Sequence, residues 1–240
     1  MRRPTDTQVA GAILAATLPV LLVGVASVSD SSAYGRAVSD SYPGNLEAIA
    51  VLGASWSRAM TAFMAGIVLI CVGLALLTTT LFEKGSHLTA PAAFTVFLIG
   101  AVIFIVWLGL ESTLPVWAGD ELKRGSPSTA YLGLVSLSGV LFVTFMSLAY
   151  ISIALFGVAL VRSGVANWAG WATLAFGAVG AAARSADLSA LGFASWAGPV
   201  PTWILAGVPG WIPLWAIALG IALVFVRTAV PGRAPERMAA

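Results

Sequence analysis

Long apolar runs that carry almost no charge alternate with short polar segments along this chain. Hydrophobic residues make up 59% of the 240 residues and charged residues only 9%. A soluble domain carries roughly 25% charged residues, so this composition does not describe a water-soluble globule. The sequence therefore predicts an all-α, polytopic transmembrane helix bundle.

The lengths of the apolar runs set the number of crossings, because a spanning helix needs about 20 apolar residues. Six runs meet this requirement, and they predict spanning helices at about residues 9–28, 57–82, 91–111, 131–161, 167–186 and 202–226. Residues 1–240 then form a single transmembrane domain. Residues 29–56 form an extracytoplasmic segment, and residues 227–240 form a cytoplasmic tail.

The first apolar run has two interpretations. It follows Arg2 and Arg3 and ends in a stretch rich in serine and aspartate. It is either a retained spanning helix or a signal peptide that is cleaved near Ala26 or Ala33. Both interpretations place the next polar segment outside the cytoplasm.

The placement of lysine and arginine predicts the orientation, because cytoplasmic loops carry an excess of these residues. With the amino terminus inside, three basic residues lie outside (Arg36, Lys123 and Arg124) and most of the others lie on the cytoplasmic side: Arg2, Arg3, Lys84, Arg162, Arg227, Arg233 and Arg237. The sequence therefore predicts a multi-pass protein of the bacterial plasma (inner) membrane with both termini in the cytoplasm.

Several kinds of chemistry are excluded by composition. The only cysteine is Cys71 and the only histidine is His87, so multi-histidine and Cys/His metal sites lack ligands. No phosphate-binding Gly-x-x-x-x-Gly-Lys loop occurs, and a net charge of +2 gives no basic field for nucleic acid. We expect no metal, no cofactor and no nucleic-acid partner.

Charges near the ends of the predicted helices are the first candidates for function, because a charge at mid-helix costs about 2.5 to 3.5 kcal/mol unless it is paired or wet. Arg184 and Asp187 lie three positions apart and share a helical face. Either they form a pair that holds a polar ligand, or the helix ends by Ala183 and both lie in the interface.

Two further charges lie near the same predicted side of the membrane. Trp107 precedes Glu111 by four positions, so the ring and the carboxylate share a helical face. Glu111 is either a general acid or proton-coupled group, or an acid in the headgroup layer. Arg58 either anchors its helix to phosphate headgroups or binds an anion or Glu111.

Small and aromatic residues predict packing and membrane boundaries. Gly177, in line with Thr173 and Ala181, and Gly220, in line with Ala216, predict close helix contacts. Trp203 and Trp211 belong to a segment that is rich in tryptophan and proline. This segment is either an aromatic belt or a helix broken at Pro209 and Pro213 that lines a ligand cavity.

Residues 153–164, which read Ile-Ala-Leu-Phe-Gly-Val-Ala-Leu-Val-Arg-Ser-Gly, are followed by Trp-Ala-Gly-Trp at 168–171 and Gly-Ala-Val-Gly at 177–180. This pattern resembles a family of small six-helix bacterial membrane proteins that is catalogued as a domain of unknown function, number forty-three eighty-six. The resemblance implies the six-helix plan and no activity.

These observations predict an integral membrane protein that binds a lipid or another apolar small molecule, or that packs as a subunit against partner membrane proteins. Membrane lipids are its expected partners. The candidate ligand-binding residues are Arg58, Trp107, Arg184, Trp203 and Trp211. One alternative is an integral-membrane enzyme for a lipid or isoprenoid substrate, with Glu111 and Asp187 as the catalytic acid and base. A second alternative is a proton-coupled transporter.

Overall fold

A computed structural model describes residues 5–39, 43–190 and 202–225, with side chains described throughout except at residues 38–39, 183–190 and 202–210. Within those ranges the chain forms α-helices and no strand. The helices are α1 (Asp6–Ala15), α2 (Thr17–Ala26), α3 (Ser31–Ser39), α4 (Gly44–Leu52), α5 (Ala54–Glu83), α6 (Thr89–Lys123), α7 (Thr129–Ser163), α8 (Asn167–Ala190) and α9 (Thr202–Phe225).

Four helical segments in the described part of the chain are long and apolar enough to cross a membrane: Asp6–Ala26, which joins α1 and α2, and then α5, α6 and α7. The part of α9 with described side chains, Trp211–Phe225, is a shorter apolar helix. The predicted all-α helix bundle is therefore confirmed.

One helix and one segment differ from the sequence prediction. The helix expected at 91–111 begins at Thr89 and continues through Pro115 to Lys123. The predicted extracytoplasmic segment, 29–56, contains α3, α4 and the first residues of α5. In addition, α9 is continuous from Thr202 to Phe225, so Pro209 and Pro213 do not break it.

Successive long helices run antiparallel, and their turns gather at two ends of the bundle. We call the end that holds Thr5 and the turns at 84–88 and 164–166 the near end. There the hydroxyl of Ser86 donates to the carbonyl oxygen of Ala159 at 3.4 Å, and the amide of Gln8 donates to the carbonyl oxygen of Val224 at 3.4 Å. The far end holds α3, α4 and the turn at 124–128. The two ends of the described chain, residues 5 and 225, thus both lie at the near end.

The turn at the far end between α6 and α7 is fixed by one buried carboxylate. Glu121 accepts hydrogen bonds from the backbone N–H of Ser128 at 3.0 Å and from the hydroxyl of Ser128. That hydroxyl also accepts from the backbone N–H of Tyr131, which caps the start of α7. Arg124 lies 3.8 Å from the same carboxylate. This network holds α6 and α7 as an antiparallel pair.

The short helices α3 and α4 cover the far end of α5 and α6. A carboxylate oxygen of Asp30 accepts from the backbone N–H groups of Ser32 at 2.8 Å and Ala33 at 3.0 Å, which caps α3. The hydrogen bond from Ala33, followed by that from the Ser32 hydroxyl, lowers the pKa of Asp30 below its usual value. The ring of Tyr34 lies 5.9 Å from the ring of Trp56, which joins α3 to the start of α5.

Glycines let the long helices approach each other closely, as the sequence predicted at Gly177 and Gly220. A Cβ atom added at Gly220 would lie 2.6 Å from the carbonyl oxygen of Gly11, so α9 and α1 touch backbone to backbone. In the same way Gly177 of α8 lies against the backbone of Ala154 in α7. Leu14 of α1 is fully buried and fills the space beside Gly73 of α5.

We expect Gly220→Ala to lower the free energy of unfolding by about 1 to 3 kcal/mol, because the added methyl group forces α1 and α9 apart. Gly139→Ala is the matched control, since no atom lies within 4 Å of the Cβ position at this helical glycine. Alanine favours a helix over glycine by about 1 kcal/mol, so the control should be neutral or stabilising. Unfolding in detergent measures both variants. Equal effects would contradict the close contact.

Candidate functional site

In α6, the backbone carbonyl of Glu111 has no helical hydrogen-bond donor. In an unbroken helix this oxygen accepts from the N–H of residue 115, but Pro115 has no N–H. The indole N–H of Trp56, on α5, donates to this oxygen at 2.9 Å. One position on, the hydroxyl of Ser57 donates to the carbonyl oxygen of Ser112 at 2.7 Å. The Trp56 indole thus replaces the helical hydrogen bond that Pro115 removes, and α6 continues past the proline.

The side chain of Glu111 points to the other neighbour of α6. The hydroxyl of Ser138, on α7, donates to a carboxylate oxygen of Glu111 at 2.7 Å. The same hydroxyl accepts the indole N–H of Trp107 at 2.7 Å. Because the serine proton goes to Glu111 and its lone pair faces Trp107, the three groups form a directed chain of hydrogen bonds between α6 and α7.

Aromatic rings continue this contact toward the near end. The ring of Phe104 lies 5.2 Å from that of Trp107 and 4.1 Å from that of Phe145, with both pairs nearly parallel. The ring of Phe142 lies 5.0 Å from that of Trp107. The polar chain therefore borders an apolar wall of rings. The ring packing fixes the orientation of the Trp107 indole, and with it the position of the Ser138 hydroxyl.

The structure thus brings together two of the residues that the sequence singled out, Trp107 and Glu111, and joins them through Ser138. Sequence spacing alone could place the first two on one face, but Ser138 lies on a different helix and carries no motif. The structure does not bring Arg58 to Glu111. Among the described side chains Arg58 makes no ion pair and no hydrogen bond, and it is exposed beside α2.

Three other candidate residues fall outside the described side chains: Arg184, Asp187 and Trp203. The helix that carries the first two, α8, continues to Ala190, so it does not end at Ala183. The contact between Asp187 and Glu111 that an acid and base pair requires stays a prediction.

A lateral apolar groove of about 390 Å³ lies between α8 and α9. Its floor includes Thr173 and Trp215, where the indole N–H donates to the threonine hydroxyl at 3.2 Å. This bond pairs the Trp215 indole with the Thr173 hydroxyl, and the rest of the lining is apolar apart from the indole N–H groups of Trp168 and Trp211. Trp168 and the predicted ligand residue Trp211 line the groove and are exposed by 69% and 48%.

No group of three or more His, Cys, Asp or Glu side chains comes together as a metal site in the described part of the chain. Comparisons with protein-family models, with curated proteins and with solved structures find no match for this chain. The resemblance of residues 153–180 to a family of unknown function therefore stays a prediction.

The bond between Trp56 and the free carbonyl of Glu111 can be tested by a double-mutant cycle. We expect Trp56→Phe to cost about 1 to 2 kcal/mol of unfolding free energy, because the carbonyl loses its donor. In a Pro115→Ala background the new N–H at residue 115 supplies the helical bond. There the cost of Trp56→Phe should fall by about 1 kcal/mol.

Trp117→Phe is the control for this cycle, because Trp117 lies on α6, the same helix as Pro115, and is 47% exposed. Its effect should be the same with proline or alanine at position 115. Unfolding in detergent gives each free energy. Additive effects of Trp56→Phe and Pro115→Ala would contradict the assignment.

Proposed function

We propose that this chain is a multi-pass protein of the bacterial plasma membrane that binds the apolar chain of a lipid or of a similar small molecule between α8 and α9. It has six spanning helices, both termini in the cytoplasm, and no catalytic role. The observation that carries the proposal is the groove of about 390 Å³ between these two helices. Its apolar lining fits a hydrocarbon chain rather than a polar solute.

The length of the helices supports the six crossings. At about 1.5 Å per residue, the 24 residues of α8 and the 24 residues of α9 each extend about 36 Å, which exceeds the hydrocarbon thickness of about 30 Å. Four other segments are long and apolar enough. The packing of α1 against α5 and α9 supports a retained first helix rather than a cleaved signal peptide.

The charges at the two ends of the bundle support the orientation. Lys84 and Arg162 lie at the near end. Further arginines stand in the sequence just before residue 5 and just after residue 225, and these two residues both lie at the near end. The far end carries Asp30, Glu47 and Asp120 but also Arg36, Lys123 and Arg124, so the excess of basic residues comes from the arginines that precede and follow the described residues in the sequence. Since basic residues mark the cytoplasmic side, the near end is cytoplasmic in this proposal.

The groove faces the surrounding hydrocarbon rather than the centre of the bundle. Side chains at the rim of the groove, including Trp168 and Leu214, are more than half exposed. In a bilayer an apolar groove of this kind excludes water, and its volume lies within the range of roughly 300 to 1,000 Å³ that is typical of ligand sites. An acyl or isoprenoid chain is the occupant that fits both properties.

The geometry supports a binding protein better than an enzyme. Glu111, the proposed catalytic acid, has one carboxylate oxygen engaged by Ser138 in a contact that joins α6 to α7. The residues that line the α8–α9 groove belong to other helices and do not include Glu111. Glu111 is therefore assigned a structural role in this proposal, as the polar bridge between two helices.

A photoreactive palmitate analogue tests the proposal with purified full-length protein. We expect saturable labelling of the α8–α9 groove. Ala218→Phe should reduce it about fivefold to tenfold, because the added ring occupies the groove where the small side chain lines it. Ala178→Phe is the matched control, since Ala178 is also exposed but does not line the groove. Labelling that does not saturate, or that both variants leave unchanged, would contradict the proposal.

A further inference from the structure

A second groove lies between α2 and α5, on the other side of the bundle from α6. It has a volume of about 460 Å³ and is lined by apolar side chains of both helices, with Arg58 as the one charged residue in its lining. Val20 and Val23 form the α2 wall, and Ala62 and Ala65 form the α5 wall. A Cβ atom added at Gly24 of α2 would lie 2.9 Å from the Cβ atom of Ala62, so the two helices touch there and the groove lies on the surface beside this contact.

The position of Arg58 gives this groove a direction. Arg58 is the fifth residue of α5, which begins at Ala54 at the far end. The groove continues from it along α5 to Ala65, which is about 10 Å further along the helix at 1.5 Å per residue. A cation thus lies at the far end of an open, mostly apolar surface groove that runs along α5 toward its middle.

No acidic side chain among the described residues compensates the charge of Arg58. In the described part of the chain its guanidinium has no acidic partner, and the two ion pairs of that part lie elsewhere, in the α6–α7 turn region. The start of a helix carries a partial positive charge, so an arginine in the first turns adds to it rather than offsetting it. Both charges favour an anion at this place.

Depth in the membrane identifies the anion. The 30 residues of α5 extend about 45 Å, which is longer than the hydrocarbon thickness of about 30 Å, so its first turns reach the layer of the headgroups. A guanidinium there binds phosphate oxygens through two parallel N–H donors. Below it, the groove accepts one hydrocarbon chain. The guanidinium and the groove thus match the phosphate and the acyl chain of a phospholipid, in the same order.

We infer that the α2–α5 groove is a binding site for an anionic phospholipid, with the lipid phosphate on Arg58 and one acyl chain between Val20, Val23, Ala62 and Ala65. The site is separate from the α8–α9 groove. The lipid site at Arg58 requires only that α2 and α5 lie in the membrane. It is therefore independent of the ligand proposed for the α8–α9 groove.

Native mass spectrometry of the full-length protein tests this inference, with phosphatidylglycerol and phosphatidylcholine of identical acyl chains as probes. We expect the wild-type protein to retain phosphatidylglycerol in preference. Arg58→Gln should reduce the retained phosphatidylglycerol about tenfold, since it removes a charged hydrogen-bonding group. Arg58→Lys should give an intermediate loss, because lysine keeps the charge without the paired donors.

The substitution Ala65→Leu tests the role of the groove separately from the charge of Arg58. Ala65 is exposed, so the larger side chain fills the groove without disturbing the core, and we expect about a fivefold to tenfold loss of phosphatidylglycerol. Lys84→Gln removes a charge from the opposite end of α5, and Ala178→Leu adds the same bulk on α8. Both controls should retain the wild-type amount of lipid.

Four results would overturn the inference. The first is equal retention of the two lipids by the wild-type protein, which would remove the role of the anion. The second is wild-type retention of phosphatidylglycerol by Arg58→Gln. The third is wild-type retention by Ala65→Leu, which would leave the arginine without an acyl-chain groove. A loss of the same size in Lys84→Gln would also contradict it, because a general charge effect would then explain the binding.

Discussion

Backbone contact at glycines is the interaction on which the rest of this bundle depends. Lipid removes the hydrophobic drive between helices, so they associate where small residues allow close approach. Gly220 holds α9 against α1, and Gly177 holds α8 against α7. Because α8 and α9 each pack on a different partner, they contact each other little. The groove between them follows from this pairing, as does the exposure of its tryptophans.

A second constraint acts at the far end, where α6 passes a proline. A backbone group without a partner is costly within a membrane, and Pro115 leaves one at Glu111. Trp56 supplies the donor from α5, while the Glu111 side chain binds Ser138 of α7. One residue thus connects three helices, through its carbonyl on one side and its carboxylate on the other. These contacts account for an acidic residue inside the long apolar helix α6.

The sequence predicts the features that depend on local pattern. The apolar runs predict the bundle, and the four-residue spacing predicts that Trp107 and Glu111 share a face. The close contacts at Gly177 and Gly220 follow from small residues in register. Partners on other helices have no local signal, so Ser138 and the Trp56 indole were not foreseen. The sequence predicted that α6 ends at about residue 111, but it continues past Pro115, and Trp56 of α5 donates to the carbonyl that the proline leaves without a helical partner. Arg58 is a candidate from the sequence alone, and its role stays a prediction, since the groove beside it depends on the packing of α2.

In the proposed topology, α6 crosses the membrane with the 124–128 turn outside and the 84–88 turn in the cytoplasm. Single cysteines at two exposed positions, Ser126→Cys and His87→Cys, test it in a Cys71→Ala background with a membrane-impermeant thiol reagent. This topology predicts that Ser126→Cys reacts in intact cells and that His87→Cys reacts only after the membrane is permeabilised. Reaction of both cysteines from the same side, or the reverse order, would contradict it.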